Sequence, residues 1–275
     1  MEIVKYANAI RYAERMSAID EDAEFMPVKS ADRTLEVLEY LSAHGTGGLV
    51  PMARDLGIPK SSLHSLLRTL EYRGWAESDP TRSFYRLGLN ALITGASYVE
   101  QDLVVTRTSD ALDELADATG ETVHLGRLEG AEVVYMAKRE SKHPLRMFSA
   151  IGRRLPAHST ALGKAMLAEL TDERVRLILP ETLAAATEHS ITSTDVLVDH
   201  LAGVRTSGYA IDDQEATLGL RCFAVTLPFA HPAKDAISCS VPFARLTAER
   251  EQEIVDLLLA TKRQLTNQYD SRRTS

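Results

Sequence analysis

The chain has 275 residues and a formal net charge of −8. That length leaves room for two domains with sizeable cores, so neither a disulfide framework nor a structural metal is needed to hold the fold. The acidic balance excludes a protein that coats nucleic acid through general basicity, and the two cysteines, Cys222 and Cys239, have no metal-ligand spacing and fit a reducing cytoplasm.

No apolar run follows a basic start, so no signal peptide is expected. No stretch is apolar enough for long enough to cross a bilayer, and no cofactor or metal is expected. Residues 1–26 read as a charged N-terminal extension. Apolar positions from Ile3 to Met16 allow an amphipathic helix, and Asp20 to Glu24 reads as a linker. A poorly ordered tail is the simpler expectation, and a partner contact the alternative.

A first domain is expected over residues 27–88. Ser30 can cap a helix to about Ala43 with Leu35, Leu38 and Leu41 inward, ended by Gly45-Thr46-Gly47-Gly48. Met52, Ala53 and Leu56 then mark a short helix stopped at Gly57-Ile58-Pro59. Leu63, Leu66, Leu67 and Leu70 give the next helix one apolar face. Two helices joined this tightly form a helix-turn-helix.

The opposite face of the second helix carries hydrogen-bonding groups and a cation: Ser61, Ser65, Arg68 and Tyr72, flanked by His64 and Thr69, with Lys60 and Ser62 at the start. Such a face can read base edges and phosphates. Trp75–Ser78 and Ser83–Leu87 flank Asp79-Pro80-Thr81-Arg82, which reads as a two-stranded wing with Arg82 at its tip. From Pro51 to Asn90 six cations face four anions, a local positive excess on an acidic chain that suits a site-specific reader. A helical hairpin inside an unrelated domain is the alternative.

Residues 89–119 are expected to form a helical linker. Leu89, Leu92 and Ile93 mark one apolar face, and Leu103, Val104, Leu112, Leu115 and Ala116 a second. An exposed apolar helix calls for a partner, and a second copy of the chain is the simplest one. From residue 120 to 266 the pattern becomes α+β. Strands are expected at Thr122–Arg127, Val133–Ala137, Arg146–Phe148, Tyr209–Ile211, Cys222–Leu227 and Ala236–Val241. Helices are expected at Ser159–Leu170, Thr171–Leu179, Thr194–Ser207 and Thr247 to about Thr266, followed by a polar tail over 267–275.

Four segments together resemble the IclR family of bacterial transcriptional regulators. They are Ser30-Ala31-Asp32-Arg33-Thr34-Leu35-Glu36-Val37-Leu38, Leu56–His64, Leu155–Ala165, and Gly208–Asp213 with Gly219-Leu220-Arg221-Cys222. The resemblance covers about Val28 to Thr266. It implies a winged helix-turn-helix domain, a linker helix and a C-terminal GAF-like α+β effector-binding domain. It also implies a homodimer or homotetramer on roughly palindromic operator DNA, controlled by a small organic or aromatic acid. On this chain the implied effector residues are Ala161, Leu162, Asp212, Cys222, Ser238 and Ser240. The DNA contacts expected from the exposed helix face and the wing are Lys60, Ser61, Ser62, His64, Ser65, Arg68, Thr69 and Arg82. Two positions depart from the family pattern: Ser65 stands where a basic residue is common, and Val241 where glycine often precedes the proline.

Read as chemistry, Ser159 or Thr160 can cap the helix that follows, which leaves the amides of Ala161 and Leu162 for a carboxylate. Ser238 and Ser240 alternate on a strand and so share a face. Asp212 can accept from a ligand hydroxyl or orient a donor, and Cys222 suits a pocket wall. Each also has an ordinary reading as a cap, a satisfied strand serine, a surface turn or inert packing. Two further functions remain open: thiol redox sensing through Cys222 and Cys239, and catalysis by Cys222 with His158 or His124 as base.

Overall fold

The computed structural model describes residues 26–144 and 149–273. The expected N-terminal helix within residues 1–16, and the strand at Arg146–Phe148, lie outside the described residues. The chain divides into two compact units, with the boundary between Asp102 and Leu103.

The first unit begins with α1 (Lys29–His44). Val28 occupies the N-cap position without a side-chain bond. Ser30 lies inside the first turn instead of capping it, its carbonyl accepting from Thr34 Oγ1 at 2.7 Å. Val37 and Leu41 are the buried pair, whereas Leu35 is 58% exposed. The helical period explains this, because Leu35 precedes Val37 by two positions and so projects from nearly the opposite side. Residues Gly47–Gly48, expected only to end the helix, form a short strand, β1.

Helix α2 (Leu49–Leu56) stops at Gly57, whose φ of 65° is the left-handed conformation that glycine adopts without strain. Helix α3 (Lys60–Tyr72) buries Leu63, Leu67 and Leu70. The wing follows as β2 (Ala76–Ser78) and β3 (Phe84–Leu87), and β3 sits in the middle of a three-stranded sheet ordered β1-β3-β2. Met52, Ile58 and Tyr85 join the α1 and α3 residues in one core. Helix α4 (Leu89–Gln101) closes this unit and has no buried residue.

The second unit starts with α5 (Leu103–Thr119), so the linker expected at 89–119 is divided between the two units. Its six strands are β4 (Thr122–Glu129), β5 (Glu132–Arg139), β6 (Arg154–Pro156), β7 (Ala210–Asp213), β8 (Leu220–Thr226) and β9 (Asp235–Pro242). They form one antiparallel sheet ordered β6-β5-β4-β9-β8-β7. The strand β9 runs through Val241 and Pro242, where Leu220 pairs with Pro242.

Helices α6 (Ala161–Leu167), α7 (Asp172–Ile178) and α8 (Thr194–Ser207) cover one face of the sheet. Helix α5 and α9 (Ala248–Arg273) cover the other. With both faces covered, every residue of β9 is buried. Helix α9 extends past Thr266 through the polar tail, since residues 267–273 contain neither glycine nor proline to end it.

Candidate nucleic-acid interface and ligand cavity

The leucines that anchor α3 leave its other side to solvent. Lys60, Ser61, His64, Ser65, Arg68, Thr69 and Tyr72 are exposed, and Ser62 is half-buried. Ser65 Oγ donates to the Ser61 carbonyl at 3.1 Å, and Thr69 Oγ1 to the Ser65 carbonyl at 3.0 Å. In this rotamer both hydroxyls offer a base only their acceptor lone pairs. No hydrogen bond or ion pair ties the side chains of Lys60, His64 or Arg68 to any described residue, so their donors are available to a ligand.

The wing tip is organised by Asp79. Its carboxylate accepts from the backbone N–H groups of Ser83 at 2.7 Å, Phe84 at 2.8 Å and Thr81 at 3.2 Å, and from the Thr81 hydroxyl. These bonds, the one from Phe84 foremost, hold its carboxyl down to about 2. The turn they close places Arg82 at a φ of 56°, exposed at the tip.

The second site is a small cavity between α6 and the sheet, with about 20 Å³ of free volume. Its wall includes Ala161, Leu162, Asp212, Cys222, Ser238 and Ser240, so the structure brings together all six residues implied by the resemblance. Strand register explains much of the convergence. Ser240 stands opposite Cys222, and Cys222 opposite Asp212, which makes a polar row across β9, β8 and β7. Cys222 Sγ donates to Ser240 Oγ at 3.3 Å. Thr160, not Ser159, caps α6, its Oγ1 accepting from Gly163 N at 3.0 Å. The Ser159 hydroxyl turns back to the Pro156 carbonyl.

Thr160 completes the wall together with Tyr135, Leu155, Ala216, Thr217 and Leu220, five residues not singled out from the sequence as site residues. Tyr135 and Leu155 lie in apolar strand segments that read as core. Ala216 and Thr217 lie in a loop whose place over the cavity depends on contacts distant in sequence.

Asp212 is buried, which rules out the surface-turn reading. Its Oδ1 accepts from Glu215 N at 2.8 Å and Ala216 N at 3.2 Å. Burial dominates these bonds and raises its carboxyl to about 6. Beside it, the fully buried Lys164 of α6 donates to Glu215 Oε1, while Glu215 Oε2 is buried without a hydrogen-bond partner.

The thiol alternatives find little support in this geometry. Phe223 pairs with Cys239 and Cys222 with Ser240, so the two cysteine side chains point to opposite faces of the sheet and cannot bond to each other. Burial raises both thiols, Cys239 to about 12, which keeps them protonated and unreactive. Nor is a cysteine–histidine pair formed among the described residues: His158 Nε2 contacts the Ala184 carbonyl at 3.0 Å, and His124 Nε2 contacts Ser149 Oγ at 2.7 Å.

Comparison with known proteins settles the family. Residues 96–267 match the model for the bacterial transcriptional regulator IclR C-terminal domain, and residues 30–80 match the IclR helix-turn-helix domain. The chain belongs to the IclR family. It is 31% identical to the transcriptional repressor IclR of Escherichia coli over 90% of this chain and 92% of that one. It is 36% identical to the transcriptional regulator XynR of the same organism over 73% of this chain and 81% of that one. Among solved structures, the regulator from Alicyclobacillus acidocaldarius superposes with a TM-score of 0.77 at 27% identity, covering 88% of this chain and 99% of that one. As in that family, a winged helix-turn-helix domain precedes an α+β domain of the GAF-like effector-binding fold, and the chain is a DNA-binding transcriptional regulator. No described helix is long and apolar enough to cross a membrane.

Proposed function

We propose that a small organic or aromatic acid bound in the cavity controls the affinity of this IclR-family regulator for its operator. The observation that carries the reading is the convergence of Ala161, Leu162, Asp212, Cys222, Ser238 and Ser240 on one buried space with a mainly apolar wall and a polar row along it. The wall suits a carboxylate. Ser238 and Ser240 can donate, the amides of Ala161 and Leu162 lie ahead of the first intrahelical bond of α6, and Asp212 can act as a donor when protonated.

On the DNA side, Lys60, Ser61, Ser62, His64, Ser65, Arg68 and Thr69 face the major groove, and Arg82 meets the backbone or minor groove beside it. The exposed Leu89, Leu92 and Ile93 of α4 pair with a second copy of the chain, which sets the spacing of two recognition helices. Acid and operator are then thermodynamically coupled, each changing the other's affinity by the same factor.

The test is binding to DNA upstream of the protein's own gene, at fixed salt, with and without a panel of aliphatic and aromatic acids. Specific binding shifted by one acid is the expected result. Specific binding that no acid shifts would reject acid control. Arg68→Ala should weaken operator binding by about 1–3 kcal/mol if Arg68 reads a base, and unchanged binding would remove it from the interface.

A further inference from the structure

The cavity contains a donor outside the six residues. Tyr135 is 4% exposed and lines the cavity, yet its hydroxyl makes no hydrogen bond to any described residue. Burial raises its pKa above the usual tyrosine value, and Cys222 and Asp212 lie within electrostatic reach of it. The phenol therefore stays protonated at physiological pH and has a proton to donate. The hydroxyl keeps access to the cavity, and a ligand that covers it must supply an acceptor or leave the donor unpaired.

The strand pattern holds this ring in place. Tyr135 stands opposite Gly126 across the β4–β5 ladder, next to an irregularity between Leu125 and Gly126. Glycine leaves the ring no side chain directly opposite, and it stacks on the diagonal neighbour His124, with centroids 4.3 Å apart and planes at 17°. His124 is itself fully buried, and burial, assisted by Lys138, lowers it to about 3, so the stack is between two neutral rings. Ser149 fixes the imidazole through Nε2, and the Ser149 carbonyl accepts from Lys138 Nζ at 2.6 Å. Gly126 has a second role. A Cβ there would lie 2.8 Å from Leu162 Cδ1 and 2.7 Å from Val133 Cγ1. Its absence lets Leu162 close down on the sheet as the cavity wall.

We propose that Tyr135 selects the ligand: its hydroxyl donates to a second oxygen, a hydroxyl or carbonyl borne by the acid in addition to its carboxylate. His124 is a positioning residue that holds the ring at the cavity. This inference rests on the reading of the cavity as an acid site. A site built around a buried donor penalises an analogue that lacks the matching oxygen, because the donor is then left unpaired.

The experiment is calorimetric titration of the full chain with matched acids: propionate, lactate and pyruvate, then benzoate and 4-hydroxybenzoate. The wild-type protein should prefer an oxygenated member over its plain analogue by roughly 10- to 100-fold. Tyr135→Phe should bring that ratio to within about threefold of unity while retaining the plain acid. His124→Phe preserves an aromatic stack and should keep the preference, whereas His124→Ala should reduce it. A purely structural role would move melting temperature in these variants and leave the ratio unchanged. If the wild-type protein binds none of the acids, the acid-site reading fails, and this inference with it. If it binds them without preference, or if Tyr135→Phe keeps the wild-type ratio, Tyr135 is not the selector and the acid site stands.

Discussion

The two faces of the large sheet are made by the same strands and are both covered by helices, but their composition differs. Toward α5 and α9, Phe223, Val225, Ile237, Cys239 and Val241 fill the space with apolar volume. Toward α6, the alternate residues are Asp212, Cys222, Ala224, Ala236, Ser238 and Ser240, nearly all small and several polar. Both faces are roofed by helices, so the cavity does not come from missing cover. It comes from short side chains that do not fill the gap beneath α6. The two cysteines lie on opposite sides of this division, Cys239 in the apolar cluster next to Thr119 and Cys222 beside a serine and an aspartate.

This contrast can be broken most forcefully at Phe223, which is fully buried on the packed face. Phe223→Ala should cost about 3–5 kcal/mol of stability, read as a lower urea midpoint. It should leave the ranking of acids unchanged, and a changed ranking with intact stability would show that the faces are not separate in function.

Asp212 should give the next largest effect. An anionic acid binds better beside a neutral Asp212, and burial raises that carboxyl to about 6. Affinity for the acid should therefore rise by roughly fivefold as pH falls from 7 to 6 and by roughly tenfold in all by pH 5, then level off, with Asp212→Asn flattening the profile. The same shift predicts a stability effect of definite sign. The folded-state value lies above the ordinary 3.8. Its stabilising contribution is thus fully present below about pH 4 and lost as pH rises through about 6. Asp212→Asn should accordingly raise the melting temperature at pH 7.5 relative to wild type, with the gain vanishing at pH 4. A flat wild-type binding profile would contradict the assigned role.

The smallest effect is expected at Ser240, where removing the hydroxyl should weaken acid binding by about 0.5–1.5 kcal/mol. Operator affinity of the ligand-free protein should be untouched, and equal acid affinity in Ser240→Ala would take Ser240 out of the site.

Much of this division is written in local pattern. The spacing of Leu63, Leu67 and Leu70 identifies both the buried and the reading side of α3, because a 3.6-residue period assigns every position to a side. Ser238 and Ser240 likewise declare a common face by alternation. Convergence of Asp212, Cys222 and Ala161 does not follow from period or spacing, and only the family resemblance grouped them. Tyr135 was missed because an aromatic residue between Val134 and Met136 reads as ordinary strand core, and what sets it apart is a glycine on the facing strand. Leu35 and Val37 show a different limit. Both are apolar and lie in one helix, and which of them faced inward was settled by packing against α2 and α3. The pair Gly47-Gly48 became a strand only because β3 offered it an edge.

The buried Lys164–Glu215 pair has a consequence for time rather than affinity. Glu215 belongs to the loop whose neighbours Ala216 and Thr217 wall the cavity, and the loop backbone is held by Thr187 Oγ1 on the Gln214 carbonyl and Ser190 Oγ on the Glu215 carbonyl, both at 2.7 Å. Lifting this loop would separate a buried lysine from its carboxylate, at a cost of several kcal/mol. Each 1.4 kcal/mol of that barrier slows exchange about tenfold. A ligand that passes this way arrives far below the diffusion limit and stays long once seated. An acid bound there would record its average supply and ignore brief fluctuations.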